Sequence, residues 1–134
     1  MRTRTVLQLM SGDSQYIIKG SWQGDWMSGT FSRLGIVRLI IDTVSPVVQP
    51  HQWEDGQAFG QNIAAISVQC KDDLGPIGAF RGEIDGHWVP FVQKGSMYTY
   101  AFDATCPSGS HKMTITARDM AGNKVRREMR FVRE

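Results

Sequence analysis

The stretch Ile115-Thr-Ala-Arg-Asp-Met-Ala-Gly-Asn123 decides the fold, because an alternating run leads directly into a tight turn. Gly122 and Asn123 belong to the residue types that adopt positive φ at little cost, so this step predicts a β-hairpin. Residues 124–132 then alternate polar and apolar side chains, a pattern typical of a strand with one buried face. The two runs are therefore predicted to form the last hairpin of an antiparallel sheet.

A second segment, Asp42-Thr-Val-Ser-Pro46, marks the entry to the same sheet system. A residue that precedes proline is restricted to extended conformations, so this segment is predicted to be an extended, interrupted entry strand. Pro46 and Pro50 bracket the point at which the organisation of the chain changes. We expect residues 1–43 to be an N-terminal β segment, either a partial module or an extension, and residues 44–134 to be the main domain.

The hydrophobic period along the chain is two, and glycine-containing turn signals separate the runs. Ten strands are predicted, at 5–10, 15–19, 26–33, 36–42, 63–70, 79–84, 87–92, 97–102, 112–118 and 125–132. Many short strands without a helical window predict an all-β protein. The specific expectation is an immunoglobulin-like antiparallel β-sandwich of seven strands over residues 44–134, with the N-terminal β extension before it.

The turn Asp85-Gly86 predicts a strand register, because a two-residue hairpin loop pairs the positions on either side of it. The predicted pairs are Ile84 with His87, Glu83 with Trp88, Gly82 with Val89, and Phe80 with Phe91. The apolar members of these pairs, Phe80, Ile84, Val89 and Phe91, fall on one face and are predicted to be core. Trp88 falls on the other face.

Composition and charge exclude several classes of protein. A chain of 134 residues is long enough for an independent core, and its net charge of +2 is too small for a nucleic-acid binder. No apolar run reaches the ~18 residues of a membrane span, so no membrane span is expected. The first residues lack the apolar segment of a signal peptide, so either the chain is cytosolic or its export signal lies on a part of a parent protein outside these residues. The second alternative is the one expected if the chain is a module of a larger protein.

The two cysteines, Cys70 and Cys106, are predicted to be unpaired thiols. In the expected strand order they fall at opposite poles of the sandwich. A disulfide requires Cα atoms within about 7 Å of each other, so a bridge between the two poles is not expected.

Several pieces of the chain together resemble one bacterial family. They are Gly20-Ser-Trp22, Arg33-Leu-Gly35, Asp42-Thr43 with Pro46, Phe80-Arg-Gly-Glu-Ile-Asp-Gly-His-Trp88, Tyr100-Ala-Phe-Asp103, Gly109-Ser-His111 and Ala117-Arg-Asp119-Met-Ala-Gly-Asn123. In these pieces the chain resembles the C-terminal, non-catalytic immunoglobulin-like β-sandwich region of bacterial lysostaphin-like zinc endopeptidases. In that family the catalytic zinc is held by a His, an Asp and one His of a His-x-His pair, and the enzyme cuts peptidoglycan cross-bridges.

The resemblance implies a non-catalytic accessory or spacer module of an exported protein, periplasmic or at the cell surface. Such a module would position an endopeptidase domain that lies outside these residues, and its partners would be other domains of the same parent protein. The three histidines, His51, His87 and His111, are single and do not form a His-x-His pair. Catalytic zinc takes three protein ligands, so we expect no catalytic residue, no cofactor and no metal here. Each histidine is predicted to be a surface or edge residue, and Cys106 with His111 lacks a third orienting group.

Tryptophans give an alternative function. Trp22, Trp26 and Trp88 are candidate ligand-binding residues, because indole rings stack on the apolar faces of sugars, and the ligand would be a glycan or peptidoglycan. The competing interpretation is structural, since tryptophans in small sandwiches mostly fill the core or cover its ends. Two exposed rings on one face would favour the alternative.

Calcium is a further possibility that the topology raises. Asp72 and Asp73 follow one predicted strand, and Asp119 and Asn123 flank a hairpin at the same pole, so their oxygens could hold Ca²⁺. The simpler interpretation is that Asp119 and Asn123 hydrogen-bond within their own turn, and this is the one we expect.

Overall fold

The computed structural model describes residues 4–32 and 34–134, which form strands and turns with no α-helix among them. No helix that is long and apolar enough to span a membrane occurs in this part of the chain. The strands are β1 (Thr5–Ser11), β2 (Ser14–Ile18), β3 (Ser21–Gln23), β4 (Trp26–Ser28), β5 (Ile36–Ile41), β6 (Val47–Pro50), β7 (Ala58–Phe59), β8 (Ala65–Lys71), β9 (Ile77–Ile84), β10 (His87–Val89), β11 (Val92–Lys94), β12 (Met97–Ala101), β13 (Gly109–Asp119) and β14 (Lys124–Arg133).

Two sheets form the main domain. One has the order β10-β9-β13-β14-β7 and the other the order β11-β12-β8-β6. In immunoglobulin terms β6, β8, β12 and β11 occupy positions A, B, E and D, and β9, β13 and β14 occupy C, F and G. The predicted all-β, immunoglobulin-like sandwich is confirmed.

The number of sandwich strands differs from the seven expected. The structure has nine, because β7 pairs in parallel with β14 and because the predicted strand 87–92 is divided into β10 and β11. Pro90 interrupts that strand, since proline has no N–H to give to a ladder. The chain crosses at this point from one sheet to the other.

The register predicted at the Asp85-Gly86 turn is confirmed for three pairs. His87 pairs with Ile84, Trp88 with Glu83, and Val89 with Gly82. The fourth predicted pair, Phe80 with Phe91, does not form in the ladder because the ladder stops at Val89. The Phe91 ring instead lies over Gly82, where any Cβ would collide with it, and contacts the Phe80 ring edge to face with centroids 5.4 Å apart.

The core lies between the two sheets and is rich in aromatic residues. Phe80 stacks on Tyr98 across the sandwich with ring centroids 3.8 Å apart. Trp53 is buried against Phe59 and Phe131, and its Nε1 donates a hydrogen bond to the Ser67 carbonyl at 2.7 Å. The most deeply buried side chains include Ile66, Ile84, Tyr100, Met113, Ile115, Met129 and Phe131.

The N-terminal residues form a separate three-stranded sheet of order β2-β1-β5 and the hairpin β3-β4. The predicted strand 26–33 is shorter than expected, because β4 ends at Ser28; residue 33 lies outside the described residues. Strand β3 was not predicted at all. The change of sheet system falls between β5 and β6, next to the predicted boundary at residues 43 and 44, and the status of residues 1–43 as a module of their own remains a prediction.

Candidate functional site

A joint connects the N-terminal sheet to one pole of the sandwich. We call Val6, Ile17, Asp42, Ala121 and Asn123 the joint residues, and all five are buried. Val6, Ile17 and Ala121 form an apolar cluster with Ile40, Leu74 and Met120 packed around it. Gly75 lies so close to Ile17 that a Cβ at this position would be 2.7 Å from the Ile17 side chain. The two sheet systems therefore meet through close side-chain packing.

The Asp119–Asn123 turn carries the polar half of the joint. The Asn123 backbone N–H donates to Asp119 Oδ1 at 2.8 Å, and the Asn123 side-chain Nδ2 donates to Asp119 Oδ2 at 2.9 Å. The same Nδ2 also donates to the Asp42 carbonyl oxygen at 2.9 Å. The expected hydrogen bonds within the turn are thus present, and one further bond ties the turn to the segment that follows β5.

Three carboxylates converge beside this turn, and we call Asp42, Asp72 and Asp73 the acidic cluster. One carboxylate oxygen from each lies within 4.8 Å of the others. Asp42 is 5% exposed, and its Oδ1 accepts one hydrogen bond, from the Val44 N–H at 3.0 Å. The sequence placed Asp72 and Asp73 near Asp119 but did not identify the Asp42 side chain. The only sequence signal for Asp42 was its place at the start of the Asp42-Thr-Val-Ser-Pro46 segment.

Burial and like charge raise the pKa of two members of this cluster. Burial is the largest cause of the raised pKa of Asp42, and the negative charges of Asp119 and Asp73 add to it. The pKa of Asp72 is raised to about 6, again mainly by burial, with contributions from Asp119, Asp42 and Asp73. Asp72 Oδ2 accepts a hydrogen bond from the Leu74 N–H at 3.3 Å, whereas Asp72 Oδ1 is buried without a partner among the described residues.

The opposite pole holds a buried histidine. His111 is 8% exposed, which contradicts the prediction that it is a surface or edge residue. Its Nδ1 lies 2.6 Å from Asp85 Oδ2, and its Nε2 lies 2.6 Å from the Pro107 carbonyl oxygen. The His111–Asp85 pair could not be predicted from the sequence, because it depends on the tertiary contact between the Asp85 turn and β13. His51 and His87 are exposed, as expected.

The surroundings of His111 raise its pKa. Burial acts to lower its pKa, but the hydrogen bonds to the Asp85 carboxylate and the Pro107 carbonyl outweigh burial and raise the pKa overall. The Asp85 pKa is lowered overall, because the bonds from the Lys112 N–H and His111 outweigh its own burial. Asp85 orients the His111 ring, so the expectation that no third group orients this histidine is wrong. Both ring nitrogens are hydrogen-bonded, however, so neither is available to activate the Cys106 thiol.

Both cysteines are free and buried. Burial raises the pKa of the Cys70 thiol and of the Cys106 thiol to about 11 in each case. The thiolate is the nucleophilic form of cysteine, so thiols with a raised pKa are poor nucleophiles near neutral pH. Both side chains act instead as apolar groups of the core.

The three candidate tryptophans do not share one surface. In the β3-β4 hairpin Trp22 pairs with Met27 and Gln23 pairs with Trp26, so the alternation of a strand places Trp22 and Trp26 on opposite faces. Trp26 is 79% exposed and Trp22 is half-buried. Trp88 is 59% exposed on the outer face of β10, opposite Glu83 and on the predicted non-core face. Glycan binding by these residues remains a prediction.

Comparisons with known proteins concern the fold. No protein-family model matches the chain, and no curated protein matches it. Fibronectin(III)-like modules of CbhA from Clostridium thermocellum are similar in structure, with a TM-score of 0.52 at 14% identity, covering 96% of this chain and 77% of that one. An engineered protein is similar with a TM-score of 0.47 at 20% identity over 67% of this chain, which spans only 20% of the length of that protein.

Proposed function

We propose that the chain is a non-catalytic accessory and spacer module of an exported cell-envelope protein. In this proposal it positions a peptidoglycan endopeptidase domain of the same parent protein, in the periplasm or at the cell surface. The endopeptidase setting comes from the sequence resemblance alone. The structural likeness to the CbhA modules supports the general idea of a module.

The joint is the observation that carries the proposal. A spacer sets the direction of its neighbours only if its own parts hold a fixed relative orientation. Here the Asn123 side chain bonds the Asp42 carbonyl at 2.9 Å, and Ile17 packs against Gly75 and Ala121. Buried hydrogen bonds and close packing of this kind limit the swing between the two sheet systems far more than a flexible linker does.

The surroundings of the potentially reactive side chains support a non-catalytic role. The His111 ring is bonded at both nitrogens, and the Cys70 and Cys106 thiols are buried with a raised pKa. Each of these side chains is held by hydrogen bonds or by burial in a state that disfavours general base or nucleophilic catalysis.

An exposed strand supplies a surface for a neighbouring domain. β5 lies at an edge of the three-stranded sheet, and Ile36, Leu39 and Ile41 on it are largely exposed. Contacts between domains of one chain are modest in area, and a short edge strand with exposed apolar side chains could supply the apolar part of such a contact.

Direct binding of glycan or peptidoglycan is the second candidate function. The observation that favours it is the exposure of Trp26 and Trp88, since large aromatic side chains left in solvent mark interaction surfaces. The placement of Trp22 and Trp26 on opposite faces of their hairpin means that each ring would have to act alone.

A sedimentation assay with purified, insoluble peptidoglycan separates the two functions. The spacer proposal predicts that the 134-residue chain stays in the supernatant. Retention that is lost in Trp26→Ala or Trp88→Ala, and kept when the buried Trp53 is changed to Phe, would establish the binding function instead. Release of soluble fragments from peptidoglycan by the chain supplied with zinc would contradict both.

A further inference from the structure

We propose that the acidic cluster at the joint is a calcium site, with Asp42, Asp72 and Asp73 as its carboxylate ligands. Ca²⁺ bound there would hold the segment after β5 against the loop after β8. The inference is independent of the proposed function, since it concerns only side chains within this chain.

The spacing of the carboxylates fits a shared cation. One oxygen from each of the three residues lies within 4.8 Å of the other two. Oxygen ligands sit about 2.3–2.6 Å from calcium, so two ligands of one ion are separated by at most about 5 Å. The three oxygens are therefore close enough to share one Ca²⁺ after small side-chain adjustments, and water would supply further ligands.

One unsatisfied oxygen and one buried carboxyl group without a basic partner point independently to a missing cation. Asp72 Oδ1 is buried and accepts no hydrogen bond from the described residues. Asp42 is 5% exposed and forms no ion pair with a lysine or arginine among the described residues; its carboxyl group is hydrogen-bonded only by the neutral Val44 N–H and by the acidic Asp119 side chain. A buried carboxylate without a counter-charge is costly, and a cation removes that cost.

Asp119 and Asn123 act as positioning residues for this site. Each oxygen of Asp119 accepts a hydrogen bond from Asn123, and these two bonds hold the Asp119 carboxylate against its own turn. Asn123 in turn holds the Asp42 carbonyl at 2.9 Å and thereby fixes the residue that carries the most buried ligand. Asp119 is 2% exposed and adds to the negative potential that attracts a cation.

Calcium fits better than magnesium. Magnesium sits about 2.0–2.1 Å from its ligands, keeps several waters and uses one or two carboxylates, whereas calcium accepts more protein oxygens in a flexible geometry. Here three carboxylates come from two separate segments, the one that follows β5 and the one that follows β8. With only three protein carboxylates as ligands the site should be weak, and we expect a dissociation constant of about 10⁻⁴–10⁻³ M.

Isothermal titration of the EDTA-treated 134-residue chain with CaCl₂ tests the proposal. We expect one Ca²⁺ per chain. At calcium about tenfold above the dissociation constant, the melting temperature should rise by roughly 3–8 °C. Absence of both binding heat and thermal shift at millimolar calcium would overturn the proposal, and so would equally strong binding of MgCl₂.

Asp72→Asn is the decisive variant, and Asp13→Asn is its matched control. The Asn side chain keeps the shape of Asp72 but removes its charge, so calcium affinity should fall at least tenfold. The variant should be as stable as the parent in EDTA, because like-charge repulsion is relieved. Asp13 is exposed in the β1–β2 turn, and its variant should bind calcium normally. Unchanged calcium binding by Asp72→Asn would overturn the ligand assignment.

Discussion

At the residue scale, single side chains decide how the parts of the molecule are held. Asn123 is the clearest case, because its amide bonds both Asp119 and the Asp42 carbonyl while remaining buried. Sequence reasoning identified Asn123 as a turn residue, since turn chemistry is local. Its hydrogen bond to the Asp42 carbonyl forms only when the 119–123 turn packs against the segment after β5, and a local sequence pattern does not predict that tertiary contact.

Asn123→Ala should destabilise the protein by about 1–3 kcal/mol, because it leaves buried acceptors on Asp42 and Asp119 without a donor. Urea unfolding measures this change in the free energy of unfolding. Asn62→Ala, at an exposed position, should change it by less than about 0.5 kcal/mol. Equal effects of the two substitutions would show that the Asn123 side chain is dispensable.

His111 should make stability depend on pH. Its pKa in the folded state is raised above the ordinary value of 6.5 by its bonds to Asp85 and Pro107, with burial and the Arg133 charge opposing the rise. The stabilisation it provides is therefore complete below about pH 6.5 and is lost as pH rises through the folded pKa. The lowered pKa of Asp85 acts only below its ordinary value of 3.8, outside this window.

Thermal unfolding between about pH 6.5 and pH 9 tests this dependence. The melting temperature of the parent chain should fall with rising pH more steeply than that of His111→Gln, whose side chain does not titrate. Identical slopes for the two proteins would mean that His111 folds with an ordinary pKa. The Asp85→Asn variant, which removes the carboxylate partner, should also flatten the slope.

At the element scale, turn chemistry predicted what is local and missed what is tertiary. The Asp85-Gly86 turn gave the β9–β10 register correctly for three pairs, because a two-residue loop leaves one geometry for its flanks. Strand β7 has only two residues, too few to show a period of two, and its parallel partner β14 is far along the chain. The position of Phe91 likewise depends on the crossover at Pro90.

Phe91→Ala should cost about 2–3 kcal/mol, somewhat below the 3–5 kcal/mol of a fully buried phenylalanine, because Phe91 is only half-buried. The loss comes from its contacts with Gly82 and with the Phe80 ring. Denaturant unfolding of this variant should be compared with that of Trp88→Ala, whose ring is exposed and whose loss should cost under about 0.5 kcal/mol. A larger cost at Trp88 than at Phe91 would mean that the Trp88 ring, and not the Phe91 ring, packs against the core.

At the scale of the whole molecule, the joint holds the N-terminal sheet against one pole of the sandwich. The all-β sandwich was predictable because alternation and turn signals recur along the whole chain. The acidic cluster was predictable only in part, since topology placed Asp72 and Asp73 at the right pole, whereas the Asp42 side chain reaches them only when the joint closes. The central claim is that this joint fixes the direction of the N-terminal sheet relative to the sandwich.

A distance measurement by pulsed electron spin resonance tests that claim most directly. Spin labels would be attached at S14C, on the N-terminal sheet, and at S110C, at the far pole of the sandwich; both positions are exposed, whereas the native thiols are buried. With Asn123 intact the distance distribution should be single and narrow, and Asn62→Ala should leave it unchanged. In the Asn123→Ala background the distribution should broaden. A broad distribution in the chain with Asn123 intact would contradict the account.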